Sequence, residues 1–254
     1  MKRKIFKNIA LQVVFILILI NILMISCSTI KKSYLKVDKN NISIQYQEKD
    51  NSLALKILNL LENNSENIIR DINPVYKEKI TVKIFPDLES LNNERKSIGL
   101  RSAGVGGGNT IYSKNSIWLV SPNKPGGSIS YDTAIVVLHE FTHLVIYSIN
   151  NIQNMKENIL IESICYYEAG QKGGILNAKD HVKWNGHEFL DEEKYDQKTF
   201  WNDHFYIGKF IKLNFGINAF NKLIINNFSL ENAFNIDNNT FIKYYMEWLN
   251  KQRY

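Results

Sequence analysis

The chain has 254 residues and a formal net charge of +6, a length that favours one domain with a sizeable core. Lys2, Arg3, Lys4 and Lys7 supply +4 of that charge and residues 1–26 hold no acid, so the chain from Cys27 onward carries +2. That excess is too small for the clustered basic face of a nucleic-acid binder, and nucleic acid is excluded as a partner.

Residues 1–26 read as a secretory signal peptide. A basic start precedes an apolar run over 9–20, then Asn21, then Ile22-Leu23-Met24-Ile25-Ser26 directly before Cys27. A small residue before a Cys at the end of an apolar core resembles the lipobox of bacterial lipoproteins, in which the Cys becomes the new N-terminus and carries lipid. Ser26 and Cys27 fit that box. Met24 and Ile25 stand where it commonly has Leu and a small residue. The other reading is an uncleaved anchor, since residues 9–25 are nearly long enough to span a bilayer. Under the positive-inside rule both readings send the rest of the chain across the membrane. The expected location is the bacterial cell envelope, on its extracytoplasmic side, with the membrane engaged through lipid on Cys27. Cys165 is then a lone thiol in an apolar run, expected to pack as a small hydrophobe.

Residues 27–41 are polar and rich in Lys and Asn, which suits a tether, and the folded domain is expected over 42–254. Residues 42–46 alternate as a short strand. Residues 50–70 place Leu53, Ile57, Leu58, Leu61 and Ile68 at helical spacing, ended by Pro74. Residues 80–85 alternate as a second strand and stop at Pro86-Asp87. A glycine-rich segment at 102–109 follows. It lacks the Gly-Lys-Ser/Thr ending of a phosphate loop. Strand-like pieces come next at 110–112 and 117–120, then a turn-rich loop with Pro122, Pro125, Gly126 and Gly127. Apolar spacing predicts a helix over 131–148, capped by Ser130 or Asp132. A second helix is expected over 157–169, stopped by Gly170, Gly173 and Gly174. His181, Trp184 and His187 lie in a polar loop. Residues 200–252 look helical, with a break at Asn214-Phe215-Gly216. Strands first and helices later predict an α+β fold with a small mixed sheet and a helical C-terminal part.

The chemistry concentrates in His139-Glu140-Phe141-Thr142-His143. In a helix, positions i and i+4 share one face, so both imidazoles can point at one ion. Zinc accepts neutral imidazole nitrogen and, in catalytic sites, keeps one position open for water. Glu140, next to the first ligand, can take a proton from that water. The five-residue pattern alone occurs by chance in on the order of 1% of chains this long. Its setting adds weight, because a His-Glu-His cluster inside an otherwise apolar helix is costly to bury unless paired or metal-bound. A third ligand is also available. Glu162 follows His143 after eighteen residues (144–161), a stretch that accommodates a helix end, a loop and the start of a returning helix. Glu168 is the rival, with a longer gap and a different helical phase.

His139, His143 and Glu162 together resemble the gluzincin class, whose members share the thermolysin-like peptidase core. The closer resemblance is to bacterial peptidase-MA-like domains, over roughly residues 42–225. The run Ile161-Glu162-Ser163-Ile164-Cys165-Tyr166-Tyr167 is similar to their Glu-Gly-Leu-Ala-x-Tyr segment, and Tyr206-Ile207-Gly208 to their later helix. The resemblance implies a zincin-like fold, with an edge strand, like 117–120, above the motif helix. It implies a Zn2+ cofactor held by His139, His143 and Glu162, Glu140 as catalytic base, and a peptide or protein substrate. His204 and Tyr206 are candidates for stabilising the oxyanion. Thermolysin-like enzymes often carry an Asp four residues after the ligand Glu, oriented on a ligand His. Tyr166 stands there here, which leaves that partner unassigned. The expected function is peptide-bond hydrolysis with a metal-activated water, outside the cytoplasm. The competing class is a catalytically inactive lipoprotein of the same fold that acts as a binding module.

Overall fold

A computed structural model describes residues 33–98, 110–113, 115–123, 132–149, 159–172 and 197–252, with backbone alone at 110–113 and 197–202. Leu35–Tyr254 makes one compact unit. It is a mixed α+β structure built on a five-stranded sheet in the order β1-β2-β3-β5-β4. The strands are β1 (Leu35–Lys39), β2 (Ile42–Tyr46), β3 (Ile80–Phe85), β4 (Thr110–Ser113) and β5 (Ser116–Val120). The three inner strands β2, β3 and β5 run parallel, while β1 and β4 are antiparallel to their neighbours at the two edges.

The sheet begins earlier than the sequence reading placed it. Residues 35–39, expected as tether, pair with β2 across the two-residue turn Asn40-Asn41, with Lys39 opposite Ile42. Asn40 has φ 51°, the left-handed conformation that two-residue hairpin turns demand and that Asn tolerates. Val37 alone in β1 packs against the core, and the rest of the strand is exposed. Charged residues on such an edge also discourage pairing with other chains.

The strand at 117–120, expected at the edge, lies inside the sheet between β3 and β4. The outer strand is β4. Alternation explains the two faces of the inner strands. Ile42, Ile44, Ile80, Val82, Ile84, Ile117 and Leu119 point into the main core. Phe85, Trp118 and Val120 point the other way and form a small cluster with Leu91. Leu91 comes from α2 (Leu88–Ser97), a helix the sequence reading missed. Asp87 starts it, its carboxylate accepting a 2.7 Å bond from the Ser90 amide. Lys83 of β3 reaches Glu94 of α2 at 2.7 Å.

The inner face is covered by helices. Helix α1 (Asn51–Ile72) buries Ala54, Ile57, Leu58, Leu61, Ile68 and Ile72 and packs on β2 and on α3 (Thr133–Tyr147). Helix α4 (Ile159–Glu168) packs on α3 and on α5 (Gln197–Phe215). The C-terminal part then breaks more often than expected, into α6 (Ala219–Ile225), α7 (Leu230–Phe234) and α8 (Asn238–Lys251). The expected break at Gly216 is present, with φ 88°. Two further starts are capped by side chains, Ser229 onto the Asn232 amide and Asp237 onto the Thr240 amide. Among the described residues no helix is long and apolar enough to cross a membrane. The signal segment, Cys27, the glycine-rich segment and the loop carrying His181, Trp184 and His187 lie outside the described residues.

Candidate metal centre

Helix α3 is apolar nearly all round. Ala134, Val137, Leu138, Phe141, Leu144, Val145 and Ile146 are all buried, which suits a helix enclosed by α1, the sheet and α4. Asp132 supplies its cap, accepting from the Ala134 amide at 3.1 Å, and Lys56 of α1 holds the same carboxylate at 2.6 Å. Into this apolar rod the sequence sets three ionisable groups. His139, Glu140 and His143 are 8%, 7% and 2% exposed.

The two His side chains share one face of α3, as their spacing predicts. Their Nε2 atoms lie 3.1 Å apart. Glu162, in the first turn of α4, reaches both. Its Oε2 is 3.4 Å from His139 Nε2 and its Oε1 is 3.2 Å from His143 Nε2. Donors bound tetrahedrally at about 2.05 Å from an ion lie about 3.3 Å from one another. The separation of the two nitrogens is close to that value, and each Glu162 oxygen lies at a similar distance from one of them, a spacing compatible with a shared ion.

Electrostatics favour a negative oxygen facing two nitrogens. Burial works against a charged Glu162, but His143 and His139 more than offset it and hold the carboxyl well below its usual range. Burial likewise opposes a charged His143, and the acid groups of Cys165 and Glu162 outweigh it and raise the imidazole. Glu140 and Glu162 both act electrostatically on Cys165.

Cys165 was expected to be a bland buried thiol. It is fully buried, but against His143, and its sulfur and one ring nitrogen of each His lie within 4.8 Å of one another. Burial pushes its thiol up to about 12. Glu162 is therefore the better third ligand, because it is already anionic and spans both nitrogens. The signal for Cys165 was present in the sequence as position i+3 from Glu162, on the same face of α4.

The remaining candidates divide. Tyr166 stands edge-on to His139, with ring centroids 5.0 Å apart, where the resemblance would put a carboxylate. His139 Nδ1 is buried without a hydrogen-bond partner among the described residues. His204, from α5, is fully buried behind Tyr166, stacked on it at 5.2 Å, with Nδ1 3.3 Å from Ser163 Oγ. Burial holds its imidazole down at about 4, so it is neutral. Tyr206 is about 200° round α5 from His204 and acts on Tyr245 of α8, away from the His pair. The geometry thus brings His204 next to Tyr166, and Tyr206 stands edge-on to Phe205 with ring centroids 5.6 Å apart. Glu168 is also apart, beside Asp71 of α1.

In comparisons with known proteins, no family model and no curated protein matches the chain.

Proposed function

We propose that this protein is a zinc-dependent peptidase of zincin-like fold that acts outside the cytoplasm, anchored by lipid on Cys27. The observation that carries the reading is the convergence of His139, His143 and Glu162 at the edge lengths of a tetrahedral zinc site. Bound there, zinc supplies a Lewis acid that polarises a scissile carbonyl and makes water more acidic.

The chain's own residues supply the rest. Glu140 accepts the proton of the attacking water and hands it to the leaving amine. The Glu162 carboxylate offsets positive charge at the centre. The outer edge of β4, beside α3, has no further strand on it among the described residues, and an extended peptide adds there as a strand. His204 is a positioning residue in this scheme. It backs Tyr166, and Tyr166 backs His139.

The test is an unbiased peptide-library digestion with the wild type beside Glu140→Gln. The wild type should cleave, and the variant should keep its metal and lose turnover, because an amide takes no proton from water. Equal cleavage by both proteins would end the peptidase reading. A protein that never cleaves, and whose function survives the substitution, belongs to the binding-module class instead.

A further inference from the structure

We infer that Cys165 is a fourth protein donor of the metal centre, a sulfur ligand on its inner wall that gives the site a preference for thiophilic ions. This rests on the metal-site reading above and extends it.

The first ground is register. Helix α3 presents His139 and His143 from one face at i and i+4, and α4 presents Glu162 and Cys165 from one face at i and i+3. Two packed helices thus each offer two donors to one space. The second is distance. The Cys165 sulfur and the His donor atoms all lie within 4.8 Å of one another. With zinc–sulfur and zinc–nitrogen bonds of about 2.3 and 2.05 Å, the tetrahedral sulfur–nitrogen edge is about 3.6 Å. A gap of at most about 1.2 Å remains, within the reach of a side-chain adjustment.

The third ground is the company the thiol keeps. A cysteine that serves only as a small hydrophobe sits among apolar atoms. Cys165 belongs to the main core, yet its thiol also lies against the His143 ring and forms a group with both His. Nor is it half of a disulfide among the described residues. The fourth is exposure. The side chains of Glu162 and His139 are 14% and 11% exposed, that of His143 is 3% exposed, and Cys165 is 0% exposed. The sulfur therefore approaches from the floor of the site, and the mouth stays on the side of Glu162 and His139. Zinc tolerates a fifth ligand there, since its coordination expands during catalysis.

Ligation exchanges one bond for another. The S–H bond breaks, a sulfur–metal bond forms from the thiolate pair, and the proton leaves to solvent. A set of two imidazoles, one carboxylate and one thiolate favours zinc and cadmium over magnesium, calcium or manganese.

The experiment is a titration of the metal-free full chain with Co2+ and Cd2+, followed by absorption spectroscopy. The wild type should develop sulfur-to-metal charge-transfer absorption. Cys165→Ser and Cys165→Ala should lose it while still binding Co2+ through the other three donors. Cadmium affinity should fall by about ten-fold or more in both variants. Cys27 is present in all three proteins, so the difference between them isolates Cys165. Should the Cys165 substitutions impair folding, Cys27→Ser keeps the test: its sulfur-to-metal band must persist, and its loss overturns the inference. Co2+ binding without a sulfur band, or a band that survives in both Cys165 variants, overturns the inference and leaves the zinc site standing. Failure of the wild type to bind either ion overturns both.

Discussion

Replacing Glu168 with Gln should stabilise the fold at neutral and alkaline pH and leave it unchanged in acid. Glu168 ends α4, beside Asp71 of α1. Asp71 is in turn held by Lys212 of α5 at 2.5 Å and by Arg70 at 3.2 Å. Three helices therefore meet at two carboxyl groups. Burial first, and the charge of Asp71 second, push the Glu168 carboxyl from 4.5 up to about 7, with Lys212 and Arg70 offsetting part of the rise. Its Oε1 is buried with no hydrogen-bond partner among the described residues. The folded state thus holds the Glu168 proton more tightly than the unfolded state does. Below about pH 4.5 both states are protonated and the contribution is fully present. As pH rises towards 7 the unfolded state releases its proton first and stability is lost, by up to about 3 kcal/mol for a shift of this size. Gln keeps the shape and has no proton to lose. Urea unfolding of both proteins at pH 4.5 and pH 8 measures the difference. The variant should match the wild type at the lower pH and exceed it by about 2–3 kcal/mol at the higher. Parallel stability curves for the two proteins across that range would refute the reasoning.

Two further substitutions probe the site and its support. Glu162→Ala should weaken zinc binding by more than about 100-fold, because loss of an outer-shell partner alone costs 10–100-fold and this removes a ligand; Glu168→Ala should leave zinc affinity nearly intact, and calorimetric titration distinguishes them. Gly208→Ala would set a methyl group against the Ser163 carbonyl oxygen and the Tyr167 Cβ, both fixed parts of α4. It should cost about 1–3 kcal/mol in chemical unfolding and should also lower zinc affinity, because α5 can no longer seat His204 against Ser163 and Tyr166.

What the sequence made legible was local. The i, i+4 spacing on an apolar helix determines that His139 and His143 share a face, and the eighteen-residue return is enough to bring Glu162 to both. Asp132 was readable as a cap because side-chain chemistry at a helix start is a one-residue signal. Helix α2 was not readable, because only Leu91 of its ten residues is buried and its polar run shows no clear stripe. Strand β1 was hidden by composition. Asn is so common in this chain that Asn40-Asn41 did not register as a hairpin turn, although Asn is among the few residues that accept the left-handed backbone there. The placement of β4 outside β5 depends on strand pairing between segments, which no periodicity reports. The closeness of Cys165 to His143 was missed for a related reason. A thiol in an apolar run looks the same whether its neighbour across the helix interface is a leucine or an imidazole.

The ordering of supports around the His pair accounts for where the chain places its glycine and its small polar residues. The α4–α5 contact must be close for His204 to lie under Tyr166, and Gly208 removes the one Cβ that would hold the helices apart. Ser163 faces the same seam, and its hydroxyl lies 2.6 Å from the Ile159 carbonyl oxygen and 3.3 Å from His204 Nδ1. A larger residue at 163 would displace the imidazole, and an apolar one would leave Nδ1 without that hydroxyl in a dry interior, at about 1–3 kcal/mol. Tyr166 then transmits the position of α5 to His139 through two ring contacts, and Tyr147 stacks on His143 from the next turn of α3 at 5.9 Å. Each imidazole of the pair is therefore braced by an aromatic ring. Ring packing fixes a side chain's orientation without adding negative charge. In such a centre the anionic character comes from Glu162, Glu140 and, when an ion draws it in, Cys165.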